Sequence, residues 1–275
     1  MIVWNQGAEI LILVPSRILD GGTTLSVKFC DTMEYPATLK KRDLNLGLAV
    51  IAVDRYSVLE TTLGQIHTAT FGNSNLVSRG DTVIALGRPF GCTDAVGYGI
   101  VSTTKNYLER PDRVCKILAT DIAGTPDGSG VLFNTNGEAI GFIDQKMVPE
   151  DKSSIVVAYS ISEIKEDIEL LSNGYGIPYL GVQGVTVTEE IEESTGIPKG
   201  VYVKQIEADS PAMAAGIQNG DVITQIEKTN VTALSVYQKA LMKLEPGEVV
   251  KIKGLRYGVA EYVEVEFTVT VGSRE

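Results

Sequence analysis

The chain has 275 residues, with 44% hydrophobic and 21% charged residues and a formal net charge of −11. That composition describes a soluble globular chain of about two domains. It excludes a nucleic-acid binder that works by neutralising phosphates, because there is no basic surplus. No run reaches the ~18 apolar residues of a membrane-spanning helix. Cys30, Cys92 and Cys115 are odd in number and far apart. They form neither a disulfide framework nor a metal pattern, and are read as three buried or half-buried thiols. No metal or cofactor is expected.

From Met1 to about Tyr159, short runs rich in Val, Ile and Thr alternate with turn residues, a mainly β pattern typical of sandwiches and barrels. The predicted strands include Glu9–Val14, Thr24–Phe29, Leu48–Val53, Thr82–Leu86 and Ala139–Ile143. Asp20-Gly21-Gly22 and Asn136-Gly137 mark tight turns. The period then changes. Ile161, Ile164, Ile168 and Leu171 recur at helical spacing between Ser160 and Gly174. Ser160 with Glu163 forms a candidate capping box, and Asn173-Gly174 a stop. This helix, 160–174, is read as a linker between a domain over 1–159 and a second over 175–275. In the second, strands resume with short helices expected near Thr188–Ser194, Pro211–Ala215 and Ser235–Leu244.

Three stretches carry chemistry in combination. Thr120-Asp121-Ile122-Ala123-Gly124-Thr125-Pro126-Asp127-Gly128-Ser129-Gly130 resembles the nucleophile segment of the HtrA/Deg family of serine proteases. Phe133–Ile143 resembles the family's continuation of that segment, and Gly80–Ser102, with its GDTVIALGRPFG run, resembles a stretch upstream of it. Farther on, Pro178–Gly184 (PYLGVQG) and Lys199–Val231, with Ser210-Pro211-Ala212 and Gly220-Asp221-Val222-Ile223 at family spacing, resemble that family's PDZ domain. The resemblance covers nearly the whole chain. It implies a trypsin-like double β-barrel followed by an α+β PDZ domain.

An acyl-transfer serine needs a base, a carboxylate that orients the base, and backbone N–H groups for the oxyanion. The resemblance makes Ser129 the nucleophile position. It puts Arg17, in Ile12–Leu19, where the family carries its histidine, and Gly47, before Leu48-Ala49-Val50, where it carries its aspartate. A guanidinium stays protonated and cannot act as a base near neutral pH. Arg17 taken alone reads as a surface cation and Asp43 as a turn acid. His67, the sole histidine, lies away from the family's base position and reads as structural or exposed. Asp127 replaces the glycine two residues before the serine, where the backbone would need a conformation that glycine tolerates best. Its carboxylate would bring negative charge to a developing oxyanion. Ser129 is thus expected to be a vestigial nucleophile. The alternative is an active endopeptidase in protein quality control with an unrecognised base.

The PDZ resemblance implies that Tyr179, Leu180, Gly181 and Val182 form a loop and strand that hold a C-terminal carboxylate and accept an extended peptide. Tyr237 and Leu241, four apart on a helix, either line the pocket or pack in the core. The expected partners are peptides or unfolded-protein C-termini, with an empty, purely structural groove as a further alternative. The resemblance also implies one more strand ahead of Met1. An open edge in the first barrel is therefore expected, and the family's trimer contacts are called into question. A cell-envelope location is implied by family habit, without a targeting segment in the chain.

Overall fold

The computed structural model describes residues 1–22, 24–149 and 154–275. It divides into two compact units. The first comprises Met1–Leu108, Cys115–Tyr175 and Glu275; the second comprises Glu109–Val114 and Gly176–Arg274.

The first unit begins with a five-stranded antiparallel sheet in the order β1-β2-β5-β4-β3. Its strands are β1 (Ile2–Gln6), β2 (Glu9–Pro15), β3 (Leu25–Lys28), β4 (Glu34–Asp43) and β5 (Leu48–Asp54). The open edges fall on β1 and β3. A short helix, α1 (Glu60–Leu63), follows. Ile10, Ile12, Tyr35, Ile51 and Val53 build one apolar core. All six apolar residues of β5 are buried, because β5 lies mid-sheet with one face on that core and the other under the later helix.

The next six strands close a barrel in the order β10-β11-β8-β7-β6-β9. They are β6 (Thr82–Arg88), β7 (Ala95–Arg110), β8 (Arg113–Ala123), β9 (Ser129–Asn134), β10 (Ala139–Asp144) and β11 (Ile155–Ser160). Val83, Ala85, Val101, Leu118, Leu132 and Ile143 fill its interior. Closure leaves no edge on this half.

Helix α2 (Ile161–Ser172) buries Ile161, Ile164, Ile168 and Leu171, as the 3.6-residue spacing predicts. Two expectations about it need correction. It packs on β4, β5, β10 and β11 as part of the first unit, so it is not a free linker. Its N-terminus is not capped by the Ser160 side chain. The Ser162 N–H donates instead to Ser74 Oγ at 2.9 Å, and the Ser160 and Ser74 hydroxyls share a hydrogen bond of 2.7 Å. A cap drawn from 88 residues away leaves no local signature. The cysteine reading is corrected too. Cys115 is buried, but Cys30 and Cys92 are exposed, because both fall in turns.

The second unit is a sheet in the order β12-β13-β14-β16-β17, with β15 on the side of β14. Its strands are β12 (Val182–Val187), β13 (Gly200–Ile206), β14 (Val222–Ile226), β15 (Thr229–Asn230), β16 (Val249–Tyr257) and β17 (Tyr262–Thr270). Helices α3 (Glu189–Thr195), α4 (Pro211–Ala214) and α5 (Leu234–Leu241) match the three expected positions within two or three residues. Thr188 caps α3 and Ser210 caps α4 through their side chains, and Gly196 ends α3 at φ 72°. Asp221 is buried and paired two-to-two with Arg256, both contacts 2.7 Å, which ties the Gly-Asp turn to β16. β12 lies at the sheet edge. An edge strand keeps one side of its backbone available for pairing.

Candidate functional site

Two places in the fold collect the residues singled out above. In the first unit, Ser129 opens β9, paired with Asp144 of β10 on one side and Arg88 of β6 on the other. A cavity of about 280 Å³ beside it is lined by Leu13, Pro15, Gly87, Arg88, Val131 and Phe142, among others. Asp94 also lines the cavity. Among the described residues, no side chain hydrogen-bonds the Ser129 hydroxyl.

Arg17 sits in the short 3-10 turn Ser16–Leu19 that follows β2. Its Nε donates to Asp144 Oδ1 at 3.1 Å and its Nη2 to the Asp127 carbonyl, also 3.1 Å. Asp144 is almost wholly buried, its side chain 1% exposed, so the guanidinium compensates a carboxylate that would otherwise be costly to bury. Arg17 is therefore more than a surface cation: it ties the loop before Ser129 to the end of β10. Asp144 was not legible as a partner, since one acid after an apolar strand gives no sign of what faces it.

Gly47 is buried at φ 70°, and its carbonyl accepts from the Ser16 N–H at 2.8 Å. A side chain there would meet Met147: an added Cβ would lie 2.7 Å from its Sδ and 2.9 Å from its Cγ. A thioether fills the space beside this residue. Asp43 is a turn acid as expected, accepting from the Leu46 N–H at 2.6 Å.

The turn before the serine differs from expectation. Asp127 is not among the residues with positive φ. The turn closes through Gly128 N–H to Thr125 carbonyl at 2.8 Å. The close approach falls on Gly128, where a Cβ would lie 2.8 Å from the Pro89 carbonyl. Shifting the tight position by one residue lets Asp127 keep an ordinary backbone. Its carboxylate turns outward, 3.2 Å from Lys146 Nζ. His67 is exposed and does not line the cavity.

In the second unit, the loop Tyr179–Val182 has every backbone polar group accounted for. Tyr179 exchanges N–H and carbonyl bonds with Gly272, both 2.9 Å; the Leu180 carbonyl accepts from Ala212 and the Gly181 carbonyl from Glu207, again at 2.9 Å. The remaining three N–H groups converge on one carboxylate. Leu180 and Gly181 donate to Asp112 Oδ2 at 2.7 Å each, and Val182 donates to Oδ1 at 3.0 Å. The Tyr237 hydroxyl adds a fourth donor, 2.6 Å from Oδ1. The Asp112 N–H in turn donates to the Val182 carbonyl at 2.7 Å.

Burial pushes the Asp112 carboxyl above the usual carboxylate value, while the bonds from Gly181, Tyr237, Val182 and Leu180 pull it back. Burial, and then the Asp112 charge, push the Tyr237 hydroxyl well above its usual value, so it stays a donor. The structure thus brings Leu180, Gly181, Val182 and Tyr237 together. Tyr179 bonds elsewhere, its ring beneath the Arg274 guanidinium. Leu241 packs in the core with Val201, Val203 and Ile252. Tyr237 shares that core and extends only its hydroxyl to the loop.

A trypsin-like peptidase domain model matches residues 2–142 and a PDZ domain model matches residues 178–267. The chain is 30% identical over 268 residues to a protein of Halomonas elongata named "Probable periplasmic serine endoprotease DegP-like", a match that covers 95% of this chain and 54% of that protein. It is also 30% identical over 281 residues to the serine protease Do-like HtrB of Bacillus subtilis, covering 94% of this chain and 59% of that one. The chain therefore spans little more than half the length of these relatives. Among solved structures, it resembles the HtrA-type protease AlgW with decapeptide, with a TM-score of 0.68 and 26% identity over 99% of this chain and 82% of that chain.

Proposed function

Because the chain belongs to the HtrA family of trypsin-like serine proteases that carry a PDZ domain, we propose that it is a peptide-binding member whose serine site performs no peptidase chemistry. The observation that carries the binding half is the loop itself. Three consecutive N–H groups and a phenolic hydroxyl aimed at one carboxylate are what a receptor for a peptide C-terminus requires. The edge strand β12, next to that loop, supplies the backbone groups for an added strand. The likeness to a structure solved with a decapeptide supports the same reading.

The catalytic half rests on Arg17. A protonated guanidinium, committed to Asp144 and to the Asp127 carbonyl, occupies the place the resemblance assigns to the base. Removing triad members leaves only about 10³–10⁴-fold catalysis over water. The names of relatives called periplasmic serine endoproteases support a setting outside the cytoplasm, with peptides or unfolded proteins as the proposed partners.

Binding of dye-labelled peptides with a free C-terminal carboxylate, against the same peptides amidated, tests the binding half. Charge-assisted hydrogen bonds contribute about 1.5–3 kcal/mol each, so amidation is expected to weaken binding more than tenfold. Affinity indifferent to amidation would remove the carboxylate loop from the mechanism.

A further inference from the structure

The second unit is not built from one stretch of chain. Glu109–Val114, the end of β7, the Pro111–Asp112 turn and the start of β8, belongs to it. That turn places Pro111 first and Asp112 second, with Asp112 at φ 67°. Turn chemistry admits Asp, like Gly and Asn, at a position of positive φ, as at Asp94 and Asp209. What sets this carboxylate apart is what it touches. It is 3% exposed, it takes three consecutive N–H groups and the Tyr237 hydroxyl, and its own N–H reaches the Val182 carbonyl at the β12 edge. These are the two kinds of contact a bound peptide end makes: a carboxylate in the loop, and a backbone bond to the edge strand.

We infer that Asp112 is a built-in ligand of the carboxylate loop, so that a peptide C-terminus binds only by displacing the Pro111–Asp112 turn. The inference rests on the reading of the loop as a C-terminal carboxylate receptor. Both ligands are carboxylates and need the same three N–H groups, so they exclude each other. The intramolecular one is present at a high effective concentration. The fraction of molecules with the loop vacant therefore scales down the apparent affinity for peptides. Selectivity follows as well: a side-chain carboxylate within a peptide has no advantage over Asp112, whereas a free C-terminus brings a following strand that can pair along β12.

Two readouts on the full chain test this. In the first, amide hydrogen exchange is followed at Leu180, Gly181 and Val182. Asp112→Ala is expected to speed exchange at these three amides at least tenfold, with amides of β14 and β16 unchanged. Asp112→Asn, which keeps the turn and one acceptor, is expected to fall between. Exchange at the three amides identical in the parent and both variants would overturn the inference, whatever peptides do. In the second, free-acid peptides are expected to bind Asp112→Ala at least tenfold more tightly than the parent. Equal affinity for the two would also overturn the inference, while leaving the loop a peptide receptor. Absence of binding to both, with the exchange difference present, would sink the receptor reading and leave Asp112 as the established occupant of the loop.

Discussion

Gly181→Ala is expected to unfold much of the second unit and to abolish peptide binding. Gly181 has φ 88°, where an L-residue costs about 1–2 kcal/mol. Its Cβ would also overlap the Ser210 Cβ and lie 2.8 Å from Ser210 Oγ and 3.0 Å from the Tyr179 hydroxyl. Ser210 cannot step aside by changing rotamer, since the clash is with its Cβ. The residue is buried, and its hydroxyl accepts from the Met213 N–H as the cap of α4. The loop must move instead, and its carbonyls are held by Ala212 and Glu207. A loss of about 4 kcal/mol corresponds to a fall in Tm of roughly 15–30 °C for a unit of this size. Thermal unfolding monitored at the second unit reads this directly. A variant that melts within a few degrees of the parent and still binds free-acid peptides would contradict the geometry described for the loop.

The second large effect concerns the first unit. Gly47→Asp, which restores the acid that the family resemblance leads one to seek, is expected to destabilise that unit by about 3 kcal/mol, lowering Tm by roughly 6–12 °C. Aspartate tolerates the left-handed region better than most residues, so the backbone cost is modest, about 1 kcal/mol. The larger costs are displacing the Met147 thioether and burying a carboxylate in its place. Combining it with Arg17→His is expected to leave casein turnover at background. An imidazole at 17 gives up the guanidinium contacts to Asp144 and Asp127, leaving the buried Asp144 under-compensated. Met147→Ala added to Gly47→Asp should recover part of the lost stability. Failure to do so would mean that Met147 is not what resists a side chain at 47.

Much of this fold is legible in the sequence, because its signals are local. The five strands named from β-rich runs, the apolar stripe of α2 and the positions of α3, α4 and α5 are each written within a few residues. The run Tyr179–Val182 carries a local signal for the same reason: its residues adjoin, and Gly181 takes the position of positive φ. What escaped lies far apart in the chain. Asp112 stands about 70 residues from the amides it accepts and 125 from Tyr237, and Pro-Asp reads as an ordinary turn. Asp144 meets Arg17 across 127 residues. Met147 against Gly47 and Ser74 at the start of α2 are contacts of the same sort. Asp127 departs from expectation for another reason. Resemblance carried over a backbone conformation along with a position, whereas the turn here moves its tight point to Gly128.

Labelling with a fluorophosphonate probe, read alongside cleavage of a labelled casein, bears most directly on the serine site. A hydroxyl without a base gives no covalent adduct at Ser129 and no turnover above that of Ser129→Ala. Stoichiometric modification of Ser129 with serine-dependent cleavage would contradict this account and would direct attention to Asp94, the carboxylate that lines the cavity.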